Sequence, residues 1–343
     1  MMMERVKIPM IVCLEFMVVM VVSGSVMNHN GAQHEALCNL LQAAVNALHR
    51  NKGGDALNKA LKQTIFGNES GGDIDTLRSQ VPTDYDESGG ERGLWCGEPF
   101  DDEHQRWSRR WSGHSAPHGL VCLCTLGANG WPLSDSNTEN TLCGQLKSAL
   151  GGGKGKGGWS GNGNDGKEGN QQITATWTTV AKPCLDGGDK TGDLKKALEK
   201  FIGQLNHTWD SVKHNIYLIG EGNVSSDNAC DGTASKGVCA RYFPNLTSTK
   251  TWWSDLEKAL IEEEQAERER ELAEKKAQRK QKEQAARKDE PHTPSLSSAH
   301  PSTNQTEQSH KDSLHEEIRK YNMTSGTPIS RPSSWLLSAA MLI

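Results

Sequence analysis

The sequence is poor in apolar residues: 34% of its 343 residues are hydrophobic and 6% are aromatic. A single large compact core needs more apolar surface than this composition supplies, so we expect much of the chain to be exposed. An excess of basic charge is also missing, because the formal net charge is -5. Neutralising phosphates requires a basic surface, so the composition predicts no nucleic-acid partner.

The common signatures of hydrolases and nucleotide-binding enzymes are missing as well. The patterns G-x-S-x-G, H-E-x-x-H and G-x-x-x-x-G-K-[ST] do not occur. Two G-x-G-x-x-G matches fall in the glycine-rich tract 151–169, but neither follows a predicted strand nor opens a predicted helix. We interpret this tract as a flexible exposed loop and predict a protein that is not an enzyme and needs no cofactor.

Residues 1–25 have the pattern of a cleaved signal peptide. Arg5 and Lys7 precede an apolar run at 8–22, and three small residues follow at 23–25. The run is shorter than the ~20 residues that a membrane-spanning helix needs. Cleavage would also remove Cys13, so the mature chain would keep an even number of cysteines.

Eight cysteines in an exported chain predict a disulfide framework. Cys122 and Cys124 are too close in sequence to bond each other easily, so we expect them to tie their segment to two different places. Cys230 and Cys239 bracket a loop short enough for this pair to close on itself. Eight cysteines allow about 105 pairings, and the sequence leaves the remaining ones open. The eight are Cys38, Cys96, Cys122, Cys124, Cys143, Cys184, Cys230 and Cys239.

Two further patterns concern candidate sites. Six N-x-S/T sequons predict N-glycosylation and support export; they are Asn68, Asn206, Asn223, Asn245, Asn304 and Asn322. A different chemistry is offered by His114, His118, Cys122 and Cys124, whose imidazoles and thiols are zinc ligands in other proteins. Their spacing fits no familiar zinc module, so we favour disulfides over a metal site.

Apolar periodicity predicts a mostly helical fold. Residues 34–50 and 55–66 read as a helical hairpin, and residues 67–119 lose periodicity and read as a long loop held by disulfides. Residues 141–150 read as another short helix. The longest pattern, 193–220, predicts one continuous helix, either a core helix or a coiled-coil-like arm. Its apolar seam is Leu194, Leu198, Phe201, Leu205, Trp209, Val212, Ile216 and Ile219.

The last third of the chain changes composition three times. Residues 251–290 are rich in charged helix-forming residues and predict a solvated helical spacer. Residues 291–325 are rich in Ser, Thr and Pro and predict a disordered stalk. The tail at 326–343 ends in an apolar stretch after small residues and a polar spacer, the order of a glycosylphosphatidylinositol (GPI) attachment signal. Ser325 and Gly326 are the candidate attachment residues.

Several of these features occur together in one known family. Trp95-Cys96-Gly97, the stretch RWSGHSAPHGLVCLC at 110–124 and the Cys230 to Cys239 loop resemble the variant surface glycoproteins of African trypanosomes. The resemblance covers roughly residues 30–250 together with the tail. It implies an elongated helical bundle or coiled-coil N-terminal domain at 26–250, with long disulfide-stapled loops, followed by the charged helix and the disordered stalk.

The resemblance also implies a function. Members of this family are usually homodimers that a GPI anchor holds on the outer leaflet of the plasma membrane. They form a dense coat that hides invariant proteins from host antibodies and is antigenically switched. This chain differs from many members in having no cysteine after Cys239. A GPI-anchored nutrient receptor on the same scaffold is the alternative function that the resemblance leaves open.

Overall fold

The computed structural model describes residues 26–288, apart from gaps at 52, 88–90, 101–109, 135–138, 154–156, 161–168, 188–191, 213, 225–228 and 247–248. The predicted signal peptide, the stalk and the GPI signal lie outside the described residues, and so do Asn304, Asn322, Ser325 and Gly326. The chain divides into two units, Met1–Ala277 and Gln278–Ile343.

The chain is mostly helical and carries four disulfides. Helix α1 spans Gly31–Arg50 and α2 spans Asp55–Phe66, which confirms the predicted helical hairpin. Leucines at steps of three and four place one face of each helix in the core, where Leu37, Leu41 and Leu61 are buried.

Three short helices and the start of a fourth occupy the region 67–119 that was predicted as a long loop. They are α3 Ile74–Ser79, α4 Asp84–Glu87, α5 Arg92–Gly97 and α6 Ala116–Cys124. All nine residues of α6 are buried. Ser115 caps this helix, because its side chain accepts from the backbone N–H of His118 at 3.3 Å. The loop prediction was wrong here because helices of four to nine residues are too short to show periodicity.

A small sheet replaces the helix predicted at 141–150. Strands β1 Asn28–His29, β2 Thr141–Leu142 and β3 Gln145–Leu146 lie in the order β1-β2-β3, with β1 parallel to β2 and β2 antiparallel to β3. Between β2 and β3, Cys143 has φ 54° and Gly144 has φ 75°. Two successive residues in the left-handed region form a hairpin turn and cannot continue a right-handed helix.

A continuous helical stretch follows the glycine-rich tract. It consists of α7 Asn170–Thr176, a π-helical segment Trp177–Ala181 and α8 Lys182–Leu185. Pro183 has no N–H to donate to the carbonyl four residues earlier, which favours a local change of helical hydrogen bonding ahead of it. This stretch packs against α1 and α6 and brings Cys184 to the core.

The long helix predicted at 193–220 is wrong beyond its first nine residues. Helix α9 spans Leu194–Ile202, and Asp193 caps it by accepting from the N–H of Lys195 at 3.0 Å. Strands β4 Asn206–Asp210, β5 His214–Gly222 and β6 Gly237–Tyr242 follow as an antiparallel sheet in the order β4-β5-β6. Thr208 lies opposite Ile216 in the register.

The predicted seam is therefore split between two kinds of structure. Leu198 and Phe201 are buried on α9, whereas Ile216 and Ile219 are buried on β5. Leu194 and Leu205 are partly buried against the core, but Trp209 and Val212 are 66% and 76% exposed. The segment after Gly203 is rich in aromatic, β-branched, Asn and Asp residues, which favour strands and turns over helix.

Helix α10 spans Trp252–Lys288 and confirms the predicted charged helix. Its first turns pack on the core, where Trp252, Trp253 and Leu256 are buried. Residues 267–284 are all exposed. Among the helices that the structure describes, none combines the length and the apolar character needed to span a bilayer.

Candidate functional site

The disulfides converge on α6 and its neighbours. Cys96 bonds Cys122, and Cys124 bonds Cys143, so the two cysteines of α6 tie it to α5 and to the β2–β3 turn. This confirms that they serve two different places. The predicted short-loop pair, Cys230–Cys239, also forms. The fourth bond joins α1 to α8, Cys38–Cys184, across 146 residues.

A buried cluster of aromatic and histidine side chains lies beside these bonds. The Nε2 of His118 donates to the carbonyl oxygen of Trp95 at 2.9 Å, which leaves Nδ1 to accept from the hydroxyl of Tyr85 at 2.7 Å. Burial, followed by the nearby charge of Arg110, lowers the pKa of His118 to about 3. Burial also raises the pKa of Tyr85 to about 12. Both side chains are therefore neutral at physiological pH, and their hydrogen bonds hold α4, α5 and α6 together.

Arg110 links the same cluster to α4. Its guanidinium lies 3.1 Å from the carboxylate of Asp84 and 4.7 Å from the ring centroid of Tyr85. Burial, and then the positive charge of Arg110, lower the pKa of His114 well below its ordinary value. Burial first, and the charge of Arg110 second, thus keep both histidines neutral near neutral pH, which suits a structural role for this cluster.

Arg92 is the second buried cation, and backbone carbonyls surround it. Its guanidinium donates to the carbonyl oxygens of Cys122 at 2.7 Å, Thr125 at 2.9 Å and Trp159 at 3.1 Å. Cys122 lies in the last turn of α6 and Thr125 follows that helix, so the cation satisfies carbonyls that a helix end leaves free. Burial lowers the pKa of Arg92 to about 9, which keeps it charged at neutral pH.

The four residues of the alternative zinc site do not form one set of metal ligands. The sulfurs of Cys122 and Cys124 belong to different disulfides, and a disulfide sulfur is not the thiolate that binds zinc. His118 lies near one of them, with Nε2 3.6 Å from the Cys122 sulfur, but the Trp95 carbonyl already accepts from this nitrogen. The geometry therefore gives these residues a role in packing and cross-linking.

The surface of the protein carries the predicted N-glycosylation sites. Four sequon asparagines are described, and all four are exposed: Asn68, Asn206, Asn223 and Asn245. Asn206 lies within the segment predicted as one long helix, but the structure places it on β4, which is an edge strand of its sheet. Each acceptor is thus open to solvent, as an attached glycan requires.

Three buried core residues were not predicted from the sequence. Trp159 lies in the tract predicted to be a flexible exposed loop, yet it is 1% exposed and packs under the guanidinium of Arg92 at 5.0 Å. Arg92 and Tyr85 lie in a stretch without apolar periodicity. The one available signal was the tryptophan itself, because a single large aromatic within a glycine tract seldom remains in solvent.

A family model described as "Trypanosomal VSG domain" matches residues 41–284. The matched region includes α6, most of α10 and every disulfide-bonded cysteine except Cys38. It ends at residue 284, which is beyond the predicted domain boundary at 250. No curated protein matches the chain.

Proposed function

The chain belongs to the trypanosomal VSG domain family, and from this premise we propose that it is a GPI-anchored, N-glycosylated coat protein that shields the cell surface and takes part in antigenic variation. The family establishes the coarser statement that this is a trypanosome surface coat protein. Anchoring, glycosylation, a homodimeric state, exposure to host antibodies and antigenic switching are the finer parts of the proposal.

One observation carries the proposal: the match covers the disulfide-stapled core together with the charged helix that follows it. Disulfides persist in oxidising compartments, and each of the four contributes about 3–5 kcal/mol by constraining the unfolded chain. A coat protein has to remain folded outside the cell, where no chaperone restores it. Antibodies can contact only surface residues, so the buried aromatic and histidine side chains are not accessible to them.

The sequence supports the lipid anchor. Small residues at 325–327, a polar spacer and the apolar terminus at 335–343 follow the order of a signal that is removed when the anchor is attached. A diacyl anchor gains ~0.8 kcal/mol per buried CH₂, so two chains hold a protein stably at a membrane. We propose that the exposed length of α10 is a charged helical spacer.

The test is enzymatic release from trypanosome cells that express the full chain. A phosphatidylinositol-specific phospholipase C is expected to release an intact ectodomain whose mass excludes residues 335–343. A chain truncated after Ser334 is the matched control and is expected to be secreted or retained without anchoring. Recovery of the 335–343 peptide from the purified surface form would refute the anchor, and a small ligand co-purifying in stoichiometric amount would favour a nutrient receptor.

A further inference from the structure

The disulfide between α1 and α8 is the only one of the four that contains a partly exposed cysteine. Cys38 is partly exposed, whereas Cys184 and the six cysteines of the other bonds are at most 1% exposed. Glu35 and Asn39, which lie beside Cys38 on α1, are exposed to solvent. A dissolved thiol can therefore approach this bond from the Cys38 side while the core stays folded.

A histidine lies beside the other sulfur of the same bond. His34 is one helical turn before Cys38 on α1, and its Nε2 lies 3.9 Å from the sulfur of Cys184. Burial lowers the pKa of His34, and the charge of Glu35 offsets this only in part. The imidazole is therefore neutral at pH 7, and its N–H can donate a hydrogen bond to a thiolate that forms on Cys184.

The bond between Cys96 and Cys122 provides an internal comparison, because it has a histidine beside it but is not accessible. The Nε2 of His118 lies 3.6 Å from the sulfur of Cys122 and donates to the carbonyl oxygen of Trp95 at 2.9 Å. Both cysteines and the histidine are buried, as are the cysteines of the two remaining bonds. Exposure thus distinguishes the bond at Cys38 from the other three.

We propose that Cys38–Cys184 is a site of thiol–disulfide exchange that a dithiol opens while the other three bonds stay closed. His34 assists by donating a hydrogen bond to the departing thiolate of Cys184. A dithiol is the reagent class that fits, because its second thiol completes the reduction within one molecule. This exchange goes beyond the coat function and does not depend on it.

The exchange takes place in two steps. One sulfur of the dithiol attacks, as a thiolate, the sulfur of Cys38; a mixed disulfide forms, the bond to Cys184 breaks, and Cys184 leaves as a thiolate. The second sulfur of the dithiol then attacks the first, closes the disulfide of the reagent and releases Cys38 as a thiolate. The dithiol gives up two electrons and two protons, and the two cysteines of the protein take them up.

Opening this bond loosens one part of the fold. The bond joins α1 to α8 across 146 positions, whereas the other three close 26, 19 and 9 positions. Reduction releases this longest loop but leaves α6 tied to α5 and to the β2–β3 turn. Hydrogen–deuterium exchange of the selectively reduced chain should therefore rise in α8 and stay slow in α6.

The experiment follows all four bonds in the native full chain. The chain is treated with dithiothreitol at neutral pH for increasing times, free thiols are blocked with N-ethylmaleimide, and peptide mass spectrometry identifies each blocked cysteine. We expect Cys38 and Cys184 to be blocked about tenfold faster than the other six, because a buried bond reacts only when the surrounding structure opens. In denaturant the four rates should converge.

A second reagent identifies the source of the dithiol. Reduced thioredoxin, at the same concentration of thiol, replaces dithiothreitol in the same assay. Selective opening of Cys38–Cys184 by both reagents supports a protein dithiol as the partner. Selective opening by dithiothreitol alone supports a small dithiol, because the larger reagent cannot reach the sulfur.

Variants at His34 test its hydrogen bond to the departing thiolate. His34→Leu removes the donor and should slow the opening of Cys38–Cys184 about tenfold, whereas His34→Gln keeps an N–H donor and should stay within about threefold of the unchanged chain. Weakening of the fold would speed the opening of every bond, so slower opening cannot come from loss of stability. His49→Leu, at an exposed position on α1, is the control and should not change the rate.

Two results would overturn the inference. The first is a buried bond that opens as fast as Cys38–Cys184 in the native chain, and the second is a native chain in which dithiothreitol opens none of the four. Equal rates in the unchanged chain and in His34→Leu would overturn the role of His34. None of these results affects the coat function, which the release by phospholipase tests separately.

Discussion

Helix α6 and the exposed part of α10 are stabilised by different means. All nine residues of α6 are buried and two of them are disulfide-bonded, whereas residues 267–284 of α10 are all exposed. A nine-residue helix is marginal on its own, so α6 depends on tertiary packing. The exposed part of α10 depends on helix propensity and on local ion pairs such as Glu271–Lys275, at 3.6 Å.

Most of the stability of this protein therefore comes from the buried surroundings of α6, and little of it comes from the exposed part of α10. Changes around α6 remove burial, cross-links or hydrogen bonds to buried carbonyls, and each affects the whole fold. Changes on the exposed part of α10 remove interactions that water and salt already weaken. The first region should therefore respond strongly to redox state, to pH and to single substitutions, and the second should respond weakly and locally.

The largest effect is expected from the disulfide that closes the longest loop. In the chain-entropy model, removing Cys38–Cys184 by Cys38→Ala with Cys184→Ala costs ~5 kcal/mol, because the two cysteines are 146 positions apart in the sequence. The control, Cys230→Ala with Cys239→Ala, opens a nine-residue separation and should cost ~3 kcal/mol. Denaturant unfolding measures both. Equal losses, or a larger loss in the control, would contradict the chain-entropy account.

The second largest loss of stability is expected from replacing the buried arginine Arg92. Arg92→Met leaves the carbonyls of Cys122, Thr125 and Trp159 without their donor and should cost about 4 kcal/mol. The matched control is Arg268→Met on α10, where the side chain is 64% exposed and pairs with Glu264. That change should cost less than ~0.5 kcal/mol. Similar losses of unfolding free energy in the two variants would remove the distinction between the regions.

Acid should destabilise the core through its neutral histidines. The folded pKa of His118 is about 3 and that of His114 is also strongly lowered, whereas in the unfolded chain both have the ordinary histidine pKa of about 6.5. Below that pH the unfolded chain binds protons that the folded chain does not, so this stability is present at pH 7 and is lost as pH falls toward 3. From pH 7 to pH 5 we expect a loss of roughly 2 kcal/mol from His118, and a further loss in the same direction from His114.

The check is the unfolding free energy as a function of pH, together with NMR titration of the native histidines. Neither buried imidazole should titrate between pH 7 and pH 5. A native His118 that titrates near pH 6.5 would show that the cluster is open to solvent.

The smallest effect is expected on α10. Ala273→Gly lies in the exposed interior of this helix and should cost ~1 kcal/mol of local helix stability. Circular dichroism should lose helical signal while the melting temperature of the core stays the same. The control is Ala259→Gly, at a position 5% exposed, which should lower the melting temperature of the core. A global loss of stability from Ala273→Gly would mean that the exposed part of α10 supports the core.

The parts of the fold that sequence reasoning predicted are those in which local pattern and packing agree. The helical hairpin at α1 and α2 has long apolar periodicity, and the start of α9 has both periodicity and an N-cap at Asp193. The charged helix α10 follows from propensity alone. These signals are local, so they can be read without knowing the rest of the fold.

The rest depends on contacts that are distant in sequence. Residues 206–219 continue a three- and four-residue spacing by coincidence, but pairing between β4 and β5 decides their structure. The position of Trp159 depends on Arg92, 67 residues earlier. The disulfide partners likewise depend on which helices pack together, so spacing identified one closed pair and left the other three open.

A coat protein has to be the most abundant protein at the cell surface, so the amount of this chain there distinguishes a coat protein from a receptor. Quantitative mass spectrometry of surface-labelled trypanosomes expressing the chain should find it as the dominant surface protein. It should also be released as a bulk fraction of surface protein by a phosphatidylinositol-specific phospholipase C. A chain present at the surface as a minor component with a bound small ligand would contradict the coat function and indicate a receptor.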